Sequence, residues 1–381
     1  GLEFQSRYTN ETVNGQGFDW RSIEDIGTPN GVALGSNYKT SAWTSQNYLT
    51  YSKRFKKDHN LSVMGGAEWS TSSTLSMNAR STGYTTTFYQ YYNLGLGSLP
   101  PTVGSGFSKR QTNSFFGRLN YDYDNRYLLT LTSRYDGASM FGTHNKYAFF
   151  PSAAIGWIVS REKFMENNAS VSDIISFLKL RASYGTTGNS PGLYSSLGTI
   201  GTYTLALNDQ LVKGLGLGGA PNASLRWEKT GQFDIGTDIE LLNSRIQMTV
   251  DWYYKKTKDL LFNVPVSLVS GYSSVTANVG SVQNKGLEVT LGGNIIQKRD
   301  VLWSVNVQLA ANRNKVLKLG STDADVITSG FLGSATMLRV GKPMGSFIGV
   351  QRLGTWGTHE VGEAARYGKK PGDIKRLDVN N

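Results

Sequence analysis

Apolar and polar residues alternate strictly along many segments of this chain. In Gln232 to Leu241, Phe233, Ile235, Ile239 and Leu241 share one side of the period; Gln232, Asp234, Asp238 and Glu240 share the other. Successive side chains of a strand point to opposite faces, so a period of two predicts a strand with one apolar and one polar face. Past a short turn at Asn243 to Arg245 the pattern resumes. Ile246, Met248, Val250, Trp252 and Tyr254 oppose Arg245, Gln247, Thr249, Asp251 and Lys255, which predicts a long hairpin. Leu119, Tyr121 and Tyr123 with Leu129, Leu131 and Tyr135 predict a second. Leu287, Val289, Leu291 and Ile295 with Trp303, Val305, Val307 and Leu309 predict a third.

The same periodicity predicts strands near 43–55, 60–73, 113–123, 127–136, 148–159, 177–186, 226–241, 246–258, 281–296 and 301–312. Their connections alternate in length. Short turns are expected at Lys56 to His59, Asp124 to Arg126, Leu242 to Arg245 and Gln297 to Asp300, and long connections at 74–112, 187–225 and 259–280. The connection 160–176 falls on the short side and is expected to hold a small amphipathic helix over Val171 to Phe177. Strands longer than the ~5–6 residues usual in soluble sheets, with one end trimmed and the other elaborated, are the pattern of an outer-membrane barrel. Tyr127, Trp157, Trp227, Trp252 and Trp303 near strand ends fit interfacial aromatic girdles.

Composition agrees with an all-β reading: Gly 44, Tyr 20, aromatic residues 12% and Cys 0 describe turn and strand formers without a disulfide or thiolate framework. A mean hydropathy of -0.32 and the lack of a long apolar run exclude a transmembrane helix, but not a barrel, whose strands are only half apolar. The net charge of +11 is dispersed; its longest cluster, Lys53, Arg54, Lys56 and Lys57, reads as a solvated turn, so no nucleic-acid partner is expected. Gly1 to Asn10 has neither the basic nor the apolar region of a signal peptide. His59, His144 and His359 sit in no catalytic frame, so no enzyme is expected. Gly214 to Gly219 lacks the following helix of a phosphate cradle and reads as loop.

At Phe115 to Tyr121 (FFGRLNY), Tyr127 to Gly137 (YLLTLTSRYDG), Phe149 to Phe164 (FFPSAAIGWIVSREKF) and Phe177 to Asn189 (FLKLRASYGTTGN), the chain resembles the SusC/RagA family of TonB-linked outer-membrane transporters. The resemblance continues in order through Trp227 to Asp238 (WEKTGQFDIGTD), Trp252 to Leu261 (WYYKKTKDLL), Ser270 to Tyr272, Asn284 to Leu291 (NKGLEVTL) and Asn312 to Val316 (NRNKV). It is firm over 110–320 and weaker before that and in Gly341 to Trp356. It implies an antiparallel transmembrane β-barrel of 22 strands with long extracellular loops and short periplasmic turns. It also implies an N-terminal plug, energy from the TonB complex, a SusD-like surface lipoprotein as partner, and an oligosaccharide or peptide as substrate. Residues 1–312 are expected to be barrel strands and loops, and 313–381 an extracellular loop region. Plug and TonB box are not recognisable here, and the chain reads as cut at both ends.

Candidate substrate contacts are the loop aromatics Tyr84, Phe88, Tyr89, Tyr91 and Tyr92, whose flat rings suit the apolar faces of sugars or peptide side chains. Asp378, Asn380 and Asn381 are candidate calcium ligands of an intact protein, since hard cations take carboxylate and amide oxygens at alternate positions. No other cofactor is expected. A passive porin, a surface adhesin on the same barrel, and a soluble β binding module are the competing readings.

Overall fold

A computed structural model of the chain describes residues 1–24, 30–190, 194–320, 322–329, 335–349 and 351–377. The main-sheet strands are β1 (Leu2–Arg21), β2 (Val32–Phe55), β3 (His59–Thr82), β4 (Thr102–Tyr123), β5 (Tyr127–Ala138), β6 (Tyr147–Ile158) and β7 (Ile175–Asn189). After a separate hairpin, β8 (Ile200–Leu207) and β9 (Gln210–Leu217), the main sheet resumes with β10 (Glu228–Leu241), β11 (Ile246–Pro265), β12 (Ser274–Gln297) and β13 (Leu302–Leu319). Each main-sheet strand pairs antiparallel with the next, giving one 11-stranded sheet with β1 and β13 at its edges. Short strands follow: β14 (Val326–Ser329), β15 (Ala335–Leu338), β16 (Ser346–Ile348), β17 (Arg352–Thr355) and β18 (Ile374–Arg376). Among the described residues no helix is long and apolar enough to cross a membrane.

The register shows why alternation specifies this sheet. One row joins Tyr51, Val63, Leu119, Leu131, Ala153, Tyr184 and Phe233 as successive partners. The neighbouring row joins Ser62, Asn120, Thr130, Ala154, Ser183 and Asp234 on the opposite face. The apolar face is not covered: Leu131 is 42%, Ile235 49% and Ile155 61% exposed. A contiguous apolar surface across so many strands far exceeds what a water-soluble monomer exposes, so it requires lipid. That excludes the soluble β module.

Aromatic rows bound this face. At the short-turn end Phe55, His59, Tyr123, Tyr127 and Trp157 are partners in one register row. Eight residues further along β5, Tyr135 stacks on Tyr147 with centroids 5.1 Å apart. Eight residues at ~3.4 Å each, tilted by ~40°, place the two rows roughly 20 Å apart, near the height of an outer-membrane apolar band. His59, expected in a turn, opens β3 instead and joins the girdle, its Nδ1 2.7 Å from the Tyr121 hydroxyl.

The structure corrects several expectations. Strands β2, β3, β4, β12 and β13 extend beyond the expected spans, and β1 was not among the ten expected. Trp227 is buried with Phe141 and Phe150, its indole donating to the Lys146 carbonyl at 3.1 Å, so it anchors long connections and faces no lipid. Gly214 to Leu217 belong to β9, where Asn208 and Asp209 take positive φ and close a tight hairpin. The helix expected over Val171 to Phe177 lies earlier, as α1 (Lys163–Glu166) and α2 (Ala169–Ser172), because β7 already begins at Ile175.

Glu162 ties this connection to the girdle: its carboxylate accepts from the Tyr127 hydroxyl at 2.5 Å, the Trp157 indole at 3.0 Å and Arg126 at 3.1 Å. Those donors, the Tyr127 hydroxyl foremost, hold the Glu162 carboxyl below its ordinary value. A depressed carboxylate stabilises at pH above its unfolded value of ~4.3, and that contribution is lost as pH falls through the lower folded value.

Two predictions follow from this architecture. Leu131→Lys or Ile235→Lys in the intact protein should lower stability by roughly 2–4 kcal/mol if the site lies near mid-membrane, whereas Asp234→Asn on the polar face should be nearly neutral, as read by urea-dependent refolding into vesicles. Hydrogen exchange in 159–172, corrected for intrinsic chemistry, should accelerate below about pH 4, and Glu162→Gln should flatten that dependence. An unchanged wild-type profile would refute the clamp.

Candidate functional site

The long connection between β3 and β4 carries the five candidate rings, and the chain fixes it locally before any ring can act. Gly83 takes φ of 86°, and the amides of Gly83 and Tyr84 both donate to the Asn30 carbonyl, at 2.9 and 2.8 Å. Two single-turn 3-10 helices follow, Gln90–Tyr92 and Leu94–Leu96, with the Asn93 side chain capping the second through the Gly95 amide at 3.0 Å.

On this frame the rings divide. Tyr84 is only 4% exposed; it meets Trp20 edge-on at 5.0 Å and its hydroxyl donates to the Asn93 carbonyl at 3.2 Å, so its ring is committed to holding the loop. Tyr91 stacks on Phe18 at 5.2 Å and tilts against Tyr92 at 4.5 Å. Phe88 and Tyr92 remain 79% and 77% exposed, and Tyr89 stands edge-on to Phe88 at 4.9 Å. The buttressing residues Phe18 and Trp20 lie outside every strand expected from periodicity; their signal was the spacing Phe18-x-Trp20 on one pleat face. By the unbroken register of β1, β2 and β3, that face is the one carrying Leu49 and Val63 lower down. The rings thus stand on the outer pleat of strands that project past the apolar band.

The opposite face is built for polar contents. Arg181 bridges Asp238 at 3.3 Å and Asp251 at 2.7 Å, across three adjacent strands. Gly236 makes room for it, since a Cβ there would stand 2.2 Å from an Asp251 carboxylate oxygen and 2.7 Å from the Arg181 guanidinium carbon. Arg134 likewise bonds Asp136 at 2.6 Å, Ser114 at 2.8 Å and Glu68 at 3.3 Å. Asp238 and Asp251 were legible as polar-face residues; Arg181 was legible only once β7 was known to pair with β10. Asp378, Asn380 and Asn381, the candidate calcium ligands, lie outside the described residues.

Long strands, an exposed apolar face between aromatic rows, and a polar face crossed by ion pairs define the wall of an outer-membrane β-barrel. Residues 1–380 match the family described as TonB dependent receptor-like, beta-barrel, and the chain belongs to that family, in its SusC/RagA branch. It is 37% identical over 332 residues to TonB-dependent receptor P26 of Formosa agariphila, covering 86% of this chain and 33% of that protein. It is 34% identical over 224 residues to TonB-dependent receptor SusC of Bacteroides thetaiotaomicron, covering 56% and 21%. Its fold is similar to that of the RagAB peptide transporter, with a TM-score of 0.78, 27% identity and 93% of this chain matched to 38% of that one. The chain spans about a third of the length of the Formosa agariphila relatives it matches.

The polar wall yields a direct test. Gly236→Ala should force Arg181 and Asp251 apart and lower stability of the intact receptor by about 1–3 kcal/mol in denaturant unfolding. Gly65→Ala, where a Cβ meets nothing within 4 Å, should change it little.

Proposed function

We propose that this chain forms about half the wall, and several extracellular loops, of a 22-stranded receptor that imports oligosaccharides or peptides across the outer membrane, energised through TonB. The observation that carries this reading is the match of almost the whole chain to the TonB-dependent receptor barrel. Structural similarity to a RagAB peptide transporter supports uptake of a large solute, and the family resemblance leaves an oligosaccharide equally open. The plug and the strands that complete the wall are assigned to chain outside this sequence. A SusD-like lipoprotein is the proposed surface partner, capping the long-loop end. Transport, not catalysis, is the proposed role.

In this reading the exposed rings of Phe88 and Tyr92 meet the substrate or the lipoprotein. Flat rings bury large apolar area at little entropic cost, and each stacking contact contributes about 0.5–1.5 kcal/mol beyond that area. Their position on the outer pleat favours the lipoprotein among the two.

The test uses the intact receptor in its own membrane. Collapse of the proton-motive force or deletion of TonB should abolish substrate-dependent growth; uptake that persists would identify a passive porin. Phe88→Ala with Tyr92→Ala should weaken capture roughly tenfold while leaving barrel assembly intact. Tyr84→Ala should instead expose the 83–101 connection to protease.

A further inference from the structure

The apolar face does not end in the same way around the sheet. Above the apolar band on β5, β6 and β7 it ends in Tyr135, Tyr147, Phe149 and Tyr184. On β10 to β13 it ends in cations. The strand parity that sends Phe233, Trp252, Leu287 and Leu309 to the apolar face continues upward into three successive register rows. The first joins Tyr254, Lys285 and Arg313; the second joins Lys256, Gln283 and Lys315; the third joins Lys229, Lys258, Ser281 and Lys318. Strand ends at this level adjoin the long connections, which puts the cations at the extracellular rim.

Two features separate this patch from an ordinary solvated surface. None of its seven cations has an ion-pair partner among the described residues, and no acidic side chain stands on these rows. Asp259, at the adjacent bulge, is held by Arg226 at 2.7 Å. Lys229 and Lys258 are direct cross-strand partners, an arrangement that destabilises a sheet unless an anion intervenes. The bulges at Lys258/Leu260 and Ser281/Val282 open a hollow of about 510 Å³ lined by Lys256, Lys258, Ser281 and Lys318 together with the self-paired Arg226 and Asp259.

We propose that this rim binds the phosphorylated headgroup of an outer-leaflet lipid, seated with its acyl chains along Trp252, Leu287 and Leu309. Charge complementarity and continuity with the apolar face select a lipid. An amphiphile alone places a phosphate at the rim while its chains cover the apolar residues below, and clustered lysines beside a membrane surface attract anionic headgroups. Four strands at ~4.8 Å spacing and three rows at ~6.8 Å make a patch roughly 14 Å on each side, wide enough for one disaccharide-sized headgroup.

The test is native mass spectrometry of the intact receptor incubated with phosphorylated lipid A, with the same lipid dephosphorylated, and with inorganic phosphate as competitor. Wild type should retain the phosphorylated lipid and not the dephosphorylated one. A variant with Lys229, Lys258, Lys285 and Lys318 each changed to Gln should retain it about a hundredfold less, and the corresponding Arg variant should retain it. Heat-modifiable migration verifies assembly of each variant. Equal retention of the two lipid forms, undiminished retention by the folded Gln variant, or displacement by inorganic phosphate at concentrations comparable to the lipid overturns the proposal. If the Gln variant does not assemble, the two lipid forms on wild type still decide.

Discussion

Everything in this sheet depends on the demand that a backbone amide or carbonyl placed in lipid be hydrogen-bonded within the protein. Each unpaired group there costs several kcal/mol, whereas an exposed ion pair contributes about 1 kcal/mol or less. Backbone pairing therefore sets the topology and side chains adjust to it. Sequential antiparallel pairing is the arrangement that lets short turns satisfy this demand strand by strand, and the eleven main-sheet strands, β1 to β7 and β10 to β13, follow it without a crossover. Where the ladder slips, between β7 and β10 at Glu240/Leu241 and at the bulges of β11 to β13, it does so near the rims, where water is available.

The same demand lapses beyond the membrane. A spanning strand needs ~9–11 residues, yet β2 and β3 run for 24 residues each. Their upper halves are a platform standing in water, and on it the 83–101 connection is mounted through Asn30, Trp20 and Tyr84. A loop on such a platform is positioned by a ladder of backbone bonds, so its exposed rings are ordered in advance and any contact they make costs less entropy. This is how a structural constraint of the membrane becomes a property of the long-loop end.

How far the sequence could be read follows from the same division. Within the apolar band, Phe233, Ile235 and Leu131 must alternate with polar residues because one face meets lipid, so faces and short turns were legible. Above the band no solvent difference separates the faces. Ser36 to Ser41 are polar on both sides and look like loop, yet they are strand, held by ladder bonds and by contacts such as Thr40 to Thr74 at 2.9 Å. Trp227 failed as a girdle residue for a related reason: aromatic identity marks an amphipathic ring, while depth and face are set by a register that a single position does not carry. The five loop rings were likewise found by composition, but which of them are buried depends on Phe18 and Trp20, more than sixty residues away in sequence.

Charge shows the same logic at the scale of the whole wall. A net +11 gives no information about fold when counted along the chain. Sorted by pleat face, two arrangements stand out. On the polar face Arg134 and Arg181 are each shared between two carboxylates, an arrangement that leaves each cluster with a net negative charge. On the apolar face, cations gather on β10 to β13 and stand at the rim, where a charge costs about 0–1 kcal/mol against ~2–4 at mid-membrane. The membrane thus imposes a depth rule on lysine, and these cations, without ion-pair partners among the described residues, collect at a permitted depth.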